Sequence, residues 1–246
     1  MKTVTVYCLP YTGASATYFY AWQRRLPEWI SICPIEPAGR GDRMEEPFYA
    51  DFDEAVQDME GRIQEHLTPP YLLLGSCMGA ILCYELALLL RRKGAASPSH
   101  LVALGQGCPA RRNEFARLAG LNDEQLIRKV RGMGGDPERR LDDPELSAFY
   151  LPVLRADCRI YDDYVPSRER LSCPITVIGG SEDPLNPPFA LEEWRDYTEG
   201  PLAVQLVDGG HYFMERQSDA ILKTLLTLSR QAWEDAATRE CSRLCK

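Results

Sequence analysis

Short apolar runs, each the length of one buried strand, alternate along this chain with longer segments whose apolar residues recur at helical spacing. The runs lie at residues 3–9, 30–36, 71–75, 101–105, 175–179 and 203–207, and the helix-period segments at 51–67, 80–93, 188–198 and 216–236. Such alternation predicts a mostly parallel central sheet flanked by helices on both faces, because a parallel pair needs a crossover long enough to hold a helix. Residues 109–166 break the rhythm, being rich in charge and helix formers with Gly132, Gly134 and Gly135 in the middle. They read as a helical insertion. Leaving the carboxyl end of a strand, it hangs over the place where open α/β sheets bind ligands, as a lid would. A length of 246 residues suits one domain, 1–246, carrying that insertion. The polar stretch 236–246 reads as a loosely held end.

Charge narrows the partners. The chain has 28 basic against 36 acidic side chains, a net −8, so no surface-wide attraction for nucleic acid is expected. The longest apolar stretch, 80–90, is broken by Glu85 and is far too short to span a bilayer. The opening MKTVTVYCLP alternates like a strand and lacks the features of a secretion signal, which predicts a cytoplasmic protein with no membrane association. The nine cysteines are odd in number and show no paired CxxC units, so reduced thiols are expected. Cys8, Cys33, Cys83, Cys108, Cys158 and Cys173 sit in or beside apolar segments and read as small core residues, and Cys241 and Cys245 as exposed thiols of the polar end. No zinc-ligand spacing and no Gly-rich phosphate loop occurs.

Cys77 differs from the rest. In Leu74-Gly75-Ser76-Cys77-Met78-Gly79-Ala80 an apolar strand passes into an amphipathic helix, with glycines two places before and after Cys77. That is the frame of a nucleophile elbow, a sharp strand-to-helix turn whose central side chain is exposed and whose neighbours must lack a Cβ. Ser76 does not fit the frame, since Leu74 and Met78 flank it at the same distance. A helix N-terminus also favours thiolate over thiol. The alternative is a tight turn into a packed helix, with Cys77 a buried small residue.

Only three histidines are available as a base. His66, before Pro69 and Pro70, and His100, before a strand, read as ordinary surface or cap residues, whereas His211 follows a late strand in Asp208-Gly209-Gly210-His211 and projects toward the elbow. An orienting acid is expected in the loop after the 175–179 strand, where Glu182 and Asp183 are adjacent; Pro184 fixes the turn in favour of Asp183, though either acid alone could be a turn residue. For a developing oxyanion, the Met78 N–H follows the nucleophile, and Thr12, with Gly13 giving the loop after the first strand freedom to turn, is the choice for a second donor.

The segments Leu9-Pro10-Tyr11-Thr12-Gly13, PAGRGDR at 37–43, the elbow at 75–80, LPVLRAD at 151–157, the loop at 179–185 and Gly209-Gly210-His211 together resemble the stand-alone type II thioesterases of polyketide and nonribosomal peptide biosynthesis. The resemblance covers nearly the whole chain. It implies an α/β-hydrolase fold, a Cys77-Asp183-His211 triad, a lid over an acyl channel, and acyl or peptidyl carrier proteins as partners, with no cofactor beyond the carrier's phosphopantetheine. Two departures stand out. Ser76-Cys77 replaces the family's usual His-Ser, and Thr12-Gly13-Ala14 its usual Ala-Gly-Gly. A cysteine would hold the acyl group as a thioester, open to attack by amines and thiols as well as water. Two other readings remain: an ester or lactone hydrolase of dienelactone-hydrolase type, or a carrier-binding subunit without catalysis. Arg111 and Arg112 are candidates for docking a carrier, against the plainer reading of a solvated basic face.

Overall fold

The computed structural model describes residues 3–111, 117–135 and 140–244. Six strands, β1 (Val4–Leu9), β2 (Ile30–Pro34), β3 (Tyr71–Ser76), β4 (His100–Leu104), β5 (Ile175–Gly180) and β6 (Leu202–Val207), pair in the order β2-β1-β3-β4-β5-β6. Every pair is parallel, so the sheet expected to be mostly parallel is wholly so. The order reverses between β1 and β3. The loops leaving those two strands therefore part at their carboxyl ends and open the crevice in which such sheets bind ligands.

The period-2 alternation of β1 sends Tyr7 and Leu9 to one face and Val4, Val6 and Cys8 to the other. On the first face pack α2 (Phe52–Ile63) and α3 (Met78–Arg92). Helix α2 is capped by Asp51, whose side chain accepts the Glu54 N–H at 2.8 Å, and it buries Phe52, Ala55, Val56, Met59 and Ile63, an apolar stripe at 3.6-residue spacing. Helix α3 packs against both α2 and the sheet, along β3, β4 and β1, and is buried along most of its length. The opposite face is covered by a 3-10 turn (Ala16–Phe19), the short α1 (Tyr20–Gln23) and α7 (Ser218–Leu244), through Phe19, Trp22, Ile221, Leu222 and Leu225. The turn and α1 were not anticipated, being too short to show a period.

Between β4 and β5 lie α4 (Asp123–Gly132) and α5 (Pro144–Asp163). Helix α4 opens on a reciprocal capping box between Asn122 and Gln125. It closes at the glycines noted above: Gly134 takes φ +89° and the Gly135 N–H returns to the Val130 carbonyl at 3.0 Å. The 188–198 segment is a single turn of helix, α6 (Pro188–Glu192), continued as a 3-10 stretch (Glu193–Tyr197). The polar stretch expected to hang loose is helical instead, α7 running on to Leu244. Residues 237–244 contain no Gly or Pro, so their polarity alone does not stop a helix. No helix among the described residues is long and apolar enough to cross a membrane.

Candidate active site

Cys77 has φ 49° and ψ −122°, and among the described residues it alone combines a side chain with positive φ. Its neighbours show why the turn is tolerated. A Cβ on Gly75 would lie 2.1 Å from the Gly79 carbonyl oxygen, and one on Gly79 would lie 2.5 Å from the Pro10 carbonyl oxygen, so backbone fills the space a side chain would need. The Cys77 N–H donates to the Leu104 carbonyl at 2.8 Å, tying the strained residue to β4. The sulfur stands at the N-terminus of α3 with the Met78 N–H beside it, and the Thr12 hydroxyl is 3.9 Å away.

The loops after β5 and β6 are laced together before they deliver their side chains. The Ser181 N–H donates to Val207 and the Glu182 N–H to Gly209, at 2.8 and 2.9 Å. Gly180 permits this, since a Cβ there would strike the Gly209 and Gly210 carbonyls at 2.3 and 2.4 Å. Asp183 is thereby buried against His211, Oδ2 accepting from Nδ1 at 2.9 Å, while Glu182 faces solvent. With Nδ1 donating to the carboxylate, Nε2 is the ring nitrogen left for the sulfur. The carboxylate also accepts from the Leu185 N–H at 2.8 Å and from Asn186 Nδ2 at 3.3 Å. Buried Asn186 in turn donates to the Gly105 carbonyl at 3.0 Å and accepts the Gly107 N–H at 2.7 Å, bracing the Asp183 loop on β4. Asn186 was not anticipated, because nothing in Asp183-Pro184-Leu185-Asn186 distinguishes a brace from a turn residue.

The charges reinforce one another. Burial alone would push the Cys77 thiol up, but the His211 charge and hydrogen bond, the Met78 N–H and the Thr12 hydroxyl together hold it below the usual thiol range. Burial would lower His211; the Cys77 charge opposite and the Asp183 hydrogen bond raise it instead, to about 10. Asp183, which burial would raise, is lowered mainly by His211. The two shifts run in the directions that favour thiolate and imidazolium over the neutral pair. The other six described cysteines are all raised, burial being the first cause for each, as suits packed thiols. The side chains of Cys241 and Cys245 lie outside the described residues.

A cavity of about 900 Å³ opens at the sulfur, and its lining includes Tyr11, Thr12 and Tyr212 together with Val130, Met133 and Leu154 of the insertion. Tyr212 meets both His211 and Tyr11 edge-on. Arg111 is not part of this wall: its guanidinium pairs with Glu193 at 2.8 Å and covers the Phe189 ring at 4.9 Å, while Arg112 lies outside the described residues. His100 Nε2 meets Thr176 Oγ1 at 2.8 Å and is held down to about 4 by burial, and exposed His66 lends its carbonyl to Tyr7; neither nears the sulfur. Among the described residues no cluster of three His, Cys, Asp or Glu could hold a metal.

The sequence matches the family profile described as a thioesterase domain over residues 4–228. It is 34% identical to the gramicidin S biosynthesis protein GrsT of Aneurinibacillus migulanus over 210 residues, covering 85% of this chain and 82% of that one. Among solved structures it is similar to ClbQ from the colibactin NRPS/PKS pathway, with TM-score 0.88, 27% identity, and 94% and 98% of the two chains covered. It is also similar to RedJ, the thioesterase from the prodiginine pathway of Streptomyces coelicolor, with TM-score 0.84, 33% identity, and 92% and 86% covered.

Proposed function

Because the chain belongs to the thioesterase-domain family, in an α/β-hydrolase-like fold, we propose that it is a type II thioesterase of polyketide or nonribosomal peptide biosynthesis that works through Cys77. Its substrates are acyl or peptidyl thioesters carried on the phosphopantetheine of carrier proteins. The observation that carries the cysteine's role is the pairing of a lowered thiol on a strained elbow with a raised imidazole anchored by Asp183.

The chemistry follows from that pair. The Cys77 thiolate attacks the carbonyl carbon of the carrier thioester, and the carbonyl electrons move to oxygen, which the Met78 and Thr12 N–H groups stabilise. As the oxyanion collapses, the bond from carbon to the carrier's sulfur breaks, and the departing sulfur takes the proton held by the His211 imidazolium. Neutral His211 then removes a proton from water as its oxygen attacks the acyl-Cys77 carbonyl. The carbon–Sγ bond breaks and thiolate and imidazolium are restored. Hydrolysis is the default release. Because acyl-Cys77 is itself a thioester, an amine or alcohol of the bound chain competes with water, giving transfer or ring closure. The 109–166 insertion acts as the lid of a single domain, with its apolar wall facing the acyl chain.

Intact-mass analysis after mixing the protein with an acyl-loaded carrier tests the reading. An adduct of one acyl group is expected on the wild type and none on Cys77→Ala, with the released product identified with and without an added amine. Turnover of a free lactone or nitrophenyl ester, with the carrier thioester left intact, would instead mark a small-molecule hydrolase.

A further inference from the structure

Two of the most distinctive sequence segments, PAGRGDR and LPVLRAD, take no part in the chemistry above, yet they meet. Arg40 of the first donates to both carboxylate oxygens of Asp157 of the second, Nη1 to Oδ2 at 2.7 Å and Nη2 to Oδ1 at 2.5 Å, with the two side chains only 5% and 2% exposed. The pair spans 117 residues of sequence and is fully desolvated, a costly arrangement for a mere tether. Its contacts point to the loop after β1. Asp157 Oδ2 also accepts the Gly13 N–H at 2.7 Å, and Arg40 Nη1 also donates to the Ala14 carbonyl at 3.2 Å.

Residues 11–14 form a turn closed by the Ala14 N–H on the Tyr11 carbonyl at 2.9 Å, with Gly13 at φ +80° in the third position, as in a type II turn. The type I and type II forms differ by a flip of the central peptide, here the one joining Thr12 to Gly13. Its N–H is the group Asp157 holds. Thr12, at the tip, is left facing the Cys77 sulfur with its hydroxyl 3.9 Å away, and Leu154 of the same helix α5 closes over Gly13, where a Cβ would come within 3.1 Å of Cδ1.

We propose that Asp157, clamped by Arg40, is a positioning residue for the oxyanion donor at Thr12: by accepting the Gly13 N–H it pins the Thr12–Gly13 peptide, and with it the place of the 11–14 turn that carries the Thr12 N–H to the reacting carbonyl. The inference rests on the acyl-transfer reading of Cys77. It also gives the two segments a shared task, coupling the insertion to the site at one buried point.

Removing one partner of a buried ion pair endangers folding, so the test compares two double variants that both remove the charges. Arg40→Met with Asp157→Asn keeps an acceptor for the Gly13 N–H; Arg40→Met with Asp157→Leu has the same bulk and no acceptor. Each is assayed for acylation of Cys77 by an N-acetylcysteamine thioester and for alkylation by iodoacetamide, a reaction at saturated carbon that forms no oxyanion. The Asn variant is expected to acylate within about 3-fold of wild type. The Leu variant should acylate about 10- to 100-fold more slowly, as for a displaced oxyanion donor, while alkylating at the wild-type rate. Equal acylation by the two variants would overturn the inference, as would a parallel loss of alkylation, which would mean general collapse of the site. A wild type that is alkylated but never acylated would overturn the acyl-transfer reading itself, and this inference with it.

Discussion

A thiol attacks a carbonyl as its thiolate, so the proposed role of Cys77 requires its ionisation to be favoured against burial. In the six other described cysteines burial is the first cause, and each is raised. Cys77, half-buried at the cavity, is lowered instead, and the largest cause opposing burial is the charge on His211. An ordinary thiol with a pKa near 8.5 is only about 1% thiolate at pH 6.5. Cys77 should therefore react with iodoacetamide at pH 6.5 faster than such a thiol, with the midpoint of its pH–rate profile below the ordinary thiol range. In His211→Ala the two largest lowering influences go, leaving burial opposed only by the Met78 N–H and the Thr12 hydroxyl, so the onset of reactivity should move to higher pH. A pH–rate profile of both proteins checks this, and coincident profiles would refute the ion pair. Asn186→Ala should act differently. It strips one donor from Asp183 and leaves the Gly105 carbonyl and Gly107 N–H without their partner, a cost of about 1–3 kcal/mol. Melting should drop by about 2–4 °C per kcal/mol, with the thiol's pH profile shifted only slightly.

At the scale of elements, all six strands were legible in the sequence because each is a run of mostly apolar residues, buried on one face or both in β1 to β5 and only half-buried in the edge strand β6, and the elbow was legible because sterics demand its glycines. The same sterics make a paired prediction. Gly79→Ala would drive a methyl against the Pro10 and Leu9 carbonyl oxygens at 2.5 and 2.6 Å, and since both are backbone at the end of a central strand neither can yield. It should destabilise by at least about 2 kcal/mol. Gly61, within α2, has nothing within 4 Å of the same position, so Gly61→Ala should stabilise by about 0.5–1 kcal/mol through helix propensity alone. Thermal unfolding of the two variants should bracket the wild type, and a Gly79→Ala melting with the wild type would mean the elbow is looser than its contacts require. What the sequence did not disclose at this scale were ends and short pieces. The extension of α7 to Leu244, the 3-10 turns after α2 and α6, and α1 all lie where a single turn decides the outcome and hydrophobic period says nothing.

Over the whole molecule, the pattern of residue types located the nucleophile, acid and base candidates, since each follows a strand, but not the bonds that hold their loops. Asp157 reaches Gly13 across 144 residues and Asn186 reaches Gly105 across 81, separations that no local period encodes. Those long bonds divide the insertion into two parts of unequal anchorage. Around its C-terminal half, α5 is fixed by Asp157 on Arg40, by Ile160 in the main core, and by Tyr164, whose hydroxyl donates to Glu85 at 2.6 Å. Helix α4 is tied to its neighbours within the insertion, by Asp123 to Arg155 and by Arg131 to Asp142, both partly exposed pairs. Its buried Leu126 and Val130 belong to a small separate cluster with Leu154 and Cys158. Local opening is set by the contacts a segment must give up, so α4 should open far more easily than residues 154–163. Hydrogen exchange followed by mass spectrometry should find its amides exchanging at least about tenfold faster, a difference of about 1.4 kcal/mol in opening free energy. Loading Cys77 with a long-chain acyl group places apolar chain against Val130 and Met133, and it should slow exchange in α4 while leaving α7 unchanged. Equal protection of α4 and α5 before loading, or no response of α4 after it, would mean that the insertion is a fixed wall and that substrates enter without moving it.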